Sequence, residues 1–585
     1  MTYSTPIEKN RNVALLVIFI LSLAIKIAIL YFAAEPVIFN KYPYFAEHLG
    51  HGIGIGERIL DLSPLYLYIT TIFFKIFGPN WDLLALIQIL LGSLNCVFIY
   101  LIGSKIFDDT AGLIAAAFLM LYGNITLIEL TLEPEVLLLF FNSLAVIALL
   151  KAGNMSLAPF RSWRWLLAGA LVGFSAITKA NALLMIPGAA IWVWLSVSVR
   201  RNRFMAVAYL LLGTLIVISP VTIRNYLQFK DFVLITADGG KVFFHGNGPG
   251  ATGMERADLS DQGFIEERQA EPDYAHALFR ETARKLSKAP LKPSECADFW
   301  FDRTLKYMRE QPEAAIGLAW KKFCLFWNNY EVHDLDTTYK DYLALKRWPL
   351  LSFGLLSVLG LLGMGSTLSR FRHAFLIYWM VLVYLLSVTV FLPASRYRLP
   401  AVPFLSIFAA GYIRDWFHFI RQKKVLEYVT PLVLIPILLA WSYMPFRHEI
   451  ALFDRWQQAS RIHYSLGGRM LFNKGEYHEA IEELEQVISV APDFAPPYNY
   501  MGKAYAILGD FPRAQNCFLR VIALSPEIDE GFLNLGLLFE LKGEFSKAIS
   551  CFEKALTLNP NNPKTRQHLV KLEETVNNDP SVRMY

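Results

Sequence analysis

Charge is scarce in this sequence. Asp, Glu, Lys and Arg make up 18% of its 585 residues, against 55% hydrophobic and 14% aromatic. A soluble domain carries about a quarter of its residues charged, so the chain as a whole does not read as a water-solvated globule. Cysteine is scarce too. There are five, with no CxxC pair and no metal-ligand spacing. That excludes a thiolate zinc site and a dense disulfide framework. Cys296 and Cys324 could pair if their segment lies outside the cytoplasm, a question the sequence leaves open. No GKS or GKT follows the glycine-rich stretch 239–253, which excludes a P-loop. The net charge of +5 gives no case for nucleic-acid binding. From Phe446 onward there are 15 Lys/Arg against 18 Asp/Glu, so the positive excess belongs to the part before it.

Long apolar runs are what the chain has in quantity. A membrane span needs roughly 20 mostly apolar residues. Runs of about that length lie at 13–33, 81–107, 110–127, 134–150, 164–178, 181–198, 204–222, 348–368, 373–392, 399–418 and 425–444. The expectation is an all-α polytopic membrane protein with about eleven transmembrane helices. The stretch 64–78 (PLYLYITTIFFKIFG) has 15 residues and reads as an interfacial or re-entrant helix. The first run is too long for a signal-peptide core and reads as a retained anchor.

Lys and Arg bias sets the orientation. Lys9 and Arg11 precede the first run; alternate loops then carry Lys105, Lys151 with Arg161 and Arg164, Arg200 to Arg203, Arg370 with Arg372, and Arg414 to Lys424. That set reads as cytoplasmic, with the N-terminus inside. The loop 34–80, the segment 223–347 and everything after 445 then fall outside. Arg396 and Arg398, in ASRYRLP between two apolar runs, also fall outside and break the bias.

The region after 445 repeats with a period of 34. Gly468, Gly502 and Gly536 align; so do Gly475, Gly509 and Gly543, then Ala480, Ala514 and Ala548, Leu484, Phe518 and Phe552, and Pro492, Pro526 and Pro560. Small residues let two helices cross closely, an aromatic fills the seam, and proline ends each unit. That is the tetratricopeptide pattern, an α-solenoid. Expected boundaries are a membrane domain over 1–445 with 223–347 as an outer insertion, a linker over 446–462, three repeats plus a capping helix over 463–576, and a tail over 577–585.

The stretch 219–253 (SPVTIRNYLQFKDFVLITADGGKVFFHGNGPGATG) carries six glycines that permit tight turns on leaving a span. Its PVTIRNY and GNGPGATG elements, read with YFAEHLGHG, SPLYLYITTIFFKIFG, LTLEPEVLLLF, GFSAITKANALLMIP, KKFCLFWNNYEVHDLD and SRYRLPAVPFLSIFAAG in that family's order, resemble the polyprenol-phosphate-sugar-dependent glycosyltransferases of the protein mannosyltransferase type. The resemblance covers about residues 10–445. It implies a GT-C architecture with the active site at the outer membrane surface. The implied activity is transfer of a sugar from a polyprenyl phosphate to a protein, glycan or lipid acceptor outside the cytoplasm. The compact fusion to the repeats makes a bacterial inner membrane the expected location.

The resemblance also implies site residues. Arg398, with Arg396, would grip the donor phosphate, since a guanidinium offers a planar fork to phosphate oxygens. Arg224, Lys179, Asn247 in the glycine loop and Tyr66 in SPLYLY complete the implied substrate-binding set. Glu133, in the glutamate position of the second outer loop, would orient an arginine or hold a divalent cation; no metal is required. The family's base is an aspartate ahead of a Y-x-x-x-A element. Here that element is Tyr42 to Ala46, and the residues before it are VIFNK. Glu35 upstream and Asp61 downstream are the candidate bases, with Glu47 and Glu57 between them. The repeats would bind a protein acceptor or partner. The missing aspartate keeps a second function class open, a catalytically degenerate membrane scaffold that holds a partner complex.

Overall fold

A computed structural model describes residues 6–33, 41–153, 161–197, 199–254, 274–332, 350–422, 425–444, 446–457 and, with short breaks, 459–578. Glu35 lies outside the described residues. Every regular element among them is a helix. The chain divides after Pro445 into two units.

The first unit runs α1 (Pro6–Ala33), α2 (Lys41–Gly50), α3 (Pro64–Phe77), α4 (Trp81–Ile106), α5 (Asp109–Leu121), α6 (Gly123–Leu130), α7 (Glu135–Gly153), α8 (Ser162–Thr178), α9 (Met185–Ser196) and α10 (Arg200–Phe229). It continues through α11 (Gly239–Asn247), α12 (Tyr274–Ser287), α13 (Pro293–Glu310), α14 (Pro312–Trp327), α15 (Phe353–Thr367), α16 (Phe371–Val390), α17 (Val402–Arg421) and α18 (Val425–Tyr443). Side chains fix several starts. Asn80 accepts from Leu83 N ahead of α4, Asp108 from Ala111 N ahead of α5, and Ser352 from Leu355 N ahead of α15, each satisfying an orphan helix donor.

Among the described residues five stretches are long and apolar enough to cross a membrane: Arg11–Ile29, Trp81–Ile106, Glu135–Gly153, Arg200–Phe229 and Phe353–Val390. A sixth forms if α5 and α6, bent by 55° at Tyr122, count as one broken span. The expected 110–127 run is therefore not a straight helix. Phe353–Val390 is continuous in hydropathy, but a short 3-10 turn at Leu368–Arg370 divides it into α15 and α16. The other expected runs correspond to shorter or more polar helices. The 64–78 stretch is α3, of 14 residues. Residues 164–178 fall in α8, of 17, and 181–198 in a 3-10 turn followed by α9, of 12. This first unit is a multi-pass membrane domain.

Its helices cross at glycines. A Cβ on Gly169 would lie 2.0 Å from Leu210 O, and one on Gly213 would lie 2.1 Å from Leu166 O, so α8 and α10 touch backbone to backbone. The core runs through α4, α5, α6, α7, α15, α16 and α17. By contrast α10 turns Leu212, Leu215 and Ile223 outward, as a lipid-facing helix does. The helices α11 to α13 pack on an aromatic knot in which Trp300 meets Phe244 at 4.8 Å and Phe279 at 5.1 Å. All five cysteines are free thiols.

The second unit opens with α19 (Arg447–Gln457), so the expected 446–462 linker is in part helical. Then follow α20 (Arg469–Lys474), α21 (Tyr477–Val490), α22 (Ala495–Ile507), α23 (Phe511–Leu524), α24 (Asp529–Leu541), α25 (Phe545–Leu558) and the closing α26 (Pro563–Asn578). The period of 34 has a direct physical origin. A Cβ on Gly502 would meet Phe518 at 2.6 Å and one on Gly536 would meet Phe552 at 2.6 Å, so the second and third repeats close on the same glycine–aromatic contact, while in the first Gly468 closes on Leu484.

Candidate active site

The loop between α6 and α7 sets the site. Leu132 takes the left-handed conformation at φ 53, unusual for a branched side chain, and turns the chain just ahead of two acids. Glu133 is 2% exposed, and its Oε2 lies 3.6 Å from Arg396 Nη1. Glu135, the first residue of α7, is fully buried, and its Oε1 lies 2.8 Å from Lys179 Nζ. The two cations reach this loop from separate places. Arg396 comes from the single turn Ser395–Arg398 after α16, and Lys179 from the end of α8. Both lie over the Tyr397 ring, at 5.0 Å for Arg396 and 4.8 Å for Lys179.

Two tyrosines close the cluster. Tyr42, on α2, and Tyr66, on α3, meet edge to face at 5.1 Å. Tyr42 Oη accepts from Ser63 N at 3.1 Å. Tyr66 donates to Gln88 Oε1, and Gln88 Nε2 donates to Glu129 O at 2.7 Å, so the tyrosine is tied to the base of the acidic loop. Burial pushes the Tyr42 phenol well above its ordinary value, and the Glu133 carboxylate pushes it further. It stays a neutral hydroxyl. Burial works against the charge of Lys179, but Glu135 and Tyr397 outweigh it and the amine is held above its usual value. Two ion pairs, Glu133 with Arg396 and Glu135 with Lys179, therefore share one aromatic ring through their cations. Lys179 keeps 23% and Arg396 11% of the side chain exposed, while both acids are buried behind them. Such a cluster can receive an anion on its cationic side and a proton on a carboxylate.

Residues 61–223, which hold the acidic loop, Tyr66 and Lys179, match the model of the dolichyl-phosphate-mannose-protein mannosyltransferase family. The match lies within the membrane unit. Residues 468–509 and 530–562 match tetratricopeptide-repeat models, so this mannosyltransferase-type domain is fused to tetratricopeptide repeats. No curated protein matches the chain. Among solved structures, the oligosaccharyltransferase of Archaeoglobus fulgidus in its apo form is 13% identical; the match covers 76% of this chain and 58% of that one, with a TM-score of 0.44. The same archaeal enzyme, AglB, in complex with an inhibitory peptide and a dolichol-phosphate gives 13% identity, 77% and 58% coverage, and a TM-score of 0.44. The first tetratricopeptide domain of Spaghetti, bound to an HSP90 peptide, is 22% identical over 21% of this chain and 94% of its own, with a TM-score of 0.20. The chain thus spans 58% of the length of the oligosaccharyltransferase it resembles.

Within the mannosyltransferase-type unit, Glu133, Arg396, Lys179 and Tyr66 come together, and the other residues singled out in the sequence go elsewhere. Arg398 is 3% exposed. Its Nη1 donates to the carbonyls of Leu325, Phe326 and Asn328, and its Nη2 donates to Tyr330 O. Its Nη2 also lies 2.7 Å from Glu331 Oε2, and the guanidinium stacks 3.7 Å from the Phe353 ring centroid. It caps the end of α14, satisfying carbonyls that the helix leaves open. The arginine beside Glu133 is Arg396.

Asp61 forms a buried ion pair with Arg280 on α12 and is turned toward that helix. Asn247 donates to Phe243 O and Val390 O and accepts from Lys322 Nζ at 2.7 Å, so it ties α11, α14 and α16 together instead of lining an open pocket. Arg224 lies against the Tyr68 ring at 5.8 Å and makes no ion pair among the described residues. Among the described residues no group of three His, Cys, Asp or Glu side chains comes together as for a metal. Tyr42 and Tyr397 are cluster members that the resemblance did not put in the site, and Glu135 is there only as a weaker alternative to Glu133. Their sequence signals are slight: Glu135 follows Glu133 by two, and Tyr397 separates the two arginines of RYR.

Proposed function

We propose that this protein is an integral membrane glycosyltransferase that moves a sugar from a polyprenyl-phosphate donor to an acceptor outside the cytoplasm. The observation that carries the reading is that the family-matched segment delivers Glu133, Glu135 and Lys179 to the same point as Arg396. Arg396 and Lys179 hold the donor phosphate. The acceptor hydroxyl oxygen bonds to the sugar's anomeric carbon as the bond from that carbon to the phosphate oxygen breaks. The electron pair leaves with polyprenyl phosphate, where the two cations stabilise it. The hydroxyl proton goes to Glu133, whose ion pair with Arg396 loosens as the phosphate takes over the guanidinium. No metal is needed. The N-terminus is cytoplasmic, the site and the repeats face the periplasm of a bacterial inner membrane, and the repeats recruit a protein acceptor or partner.

The test is transfer from a radiolabelled polyprenyl-phosphate hexose in proteoliposomes. Arg396→Ala, Lys179→Met and Glu133→Gln each lower transfer by about 100-fold, the loss typical of one electrostatic or acid–base contribution, while the protein still folds and inserts. Wild-type rates in all three variants would refute the assignment. One observation favours a second reading. Asp61 and Arg398 are already neutralised by Arg280 and Glu331, as in a fold that has given up catalysis and serves as a scaffold. On that reading the three variants change nothing, and deletion of the repeats alone abolishes partner recruitment.

A further inference from the structure

A cavity of about 500 Å³ opens between α2 with the glycine-rich turn that follows it and α12. Its volume lies within the range of small-molecule sites. One wall is an aromatic ledge on α2, where the Tyr44 ring lies 4.2 Å from His48 and 5.2 Å from Phe45. His48 Nδ1 is 2.8 Å from Tyr44 O, which fixes the ring. The rim has both signs of charge. Arg284 donates to both oxygens of Glu57 at 2.8 and 2.9 Å, Arg280 lies between Glu57 and Asp61, and Glu281 stands on the same helix.

The mixture selects its ligand. A phosphate would face Glu57 and Glu281, a polycation would face the arginines, and an apolar chain would strand both sets without water. A neutral polyhydroxyl ligand suits all of them. Its hydroxyls accept from guanidinium and donate to carboxylate, and its C–H faces lie on aromatic rings. The cavity is also joined to the cluster by covalent and polar links. α2 carries Tyr42 into the cluster and Tyr44 and His48 into the cavity wall, while Asp61, two residues before Ser63, holds Arg280 of the rim.

We propose that this cavity binds a saccharide of one or two residues, and that it is the acceptor subsite. The acceptor label rests on the glycosyltransferase reading; saccharide binding does not. The experiment uses the full-length protein in nanodiscs and saturation-transfer NMR, with mannose, glucose, galactose, N-acetylglucosamine and their disaccharides as probes. At least one probe binds. Tyr44→Ala and Glu281→Gln weaken it by about 10-fold, the loss of one good polar or stacking contact, and Lys547→Ala on the surface of the repeats leaves it unchanged. The proposal is overturned if no probe binds, if the cavity variants bind as wild type does, or if only inorganic phosphate or short peptides bind. Saccharide binding in a protein that transfers no sugar would sink the glycosyltransferase reading and leave the cavity assignment standing.

Discussion

Replacing Glu129 by Gln tests how the acidic loop is held. Lys26 on α1 and Glu129 on α6 form an ion pair of 2.5 Å in which each side chain is 1% exposed. The pair is packed tightly: a Cβ on Gly92 of α4 would lie 1.9 Å from Glu129 Oε1 and 2.6 Å from Lys26 Nζ. Glu129 O also accepts from Gln88, so this point of α6 is tied to α1 by its side chain and to α4 by its backbone. Removing one partner of a buried pair leaves an uncompensated charge and costs roughly 3–5 kcal/mol, whereas replacing both by apolar groups is often neutral or stabilising. Glu129→Gln and Lys26→Met are each expected to lower stability by about that amount, and Lys26→Met with Glu129→Leu to recover most of it. The assay is a double-mutant cycle on unfolding midpoints in detergent. Single variants that melt with wild type, or a double variant that loses the sum of the two, would refute the idea that each charge is held only by the other.

The remaining predictions concern positions outside this pair. Arg398→Ala removes the cap of α14 and leaves Glu331 buried without its cation, so it destabilises the fold by roughly 3–5 kcal/mol; thermal unfolding reads this, and donor affinity of whatever protein remains folded stays near wild type. Lys322 is fully buried with only Asn247 and a carbonyl as partners, and burial brings its amine down to about 7. The folded state therefore holds fewer protons than the unfolded one between about pH 7 and the ordinary lysine value. Stability should rise with pH across that window, by at most about 1.4 kcal/mol per pH unit, and be flat in this respect below it; Lys322→Met should remove the slope in a pH series of melts. In the repeats, Phe518 is 2% exposed against Gly502. Phe518→Ala empties that seam at roughly 3–5 kcal/mol and should open the loops around α22 and α23 to limited proteolysis.

Local signals explain what could be read early. The repeats were legible because Gly502 and Phe518 recur as Gly536 and Phe552, and contacts within a repeat pair close over few residues. Apolar runs were legible because lipid imposes one composition along a whole helix. Their number was harder to read. α5 and α6 share one apolar stretch, yet the chain bends at Tyr122, whose hydroxyl is held by Glu331, a partner 209 residues away. Glu133 and Arg396 were legible as chemistry through their motifs, but their pairing was not. Of two arginines two residues apart, Arg398 turns to the backbone after α14 and Arg396 turns to Glu133.

Hydropathy, repeat period and ordered motifs identified a helical membrane unit with a segment similar to the mannosyltransferase family, followed by tetratricopeptide repeats. Those properties are written in neighbouring residues, and local backbone and solvent physics reads them directly. The choice between Arg396 and Arg398, the matching of Lys179 to Glu135 and the walls of the cavity between α2 and α12 were decided by tertiary structure alone. Charges pair by distance in a low-dielectric interior, and only folding sets the distance between residues hundreds of positions apart.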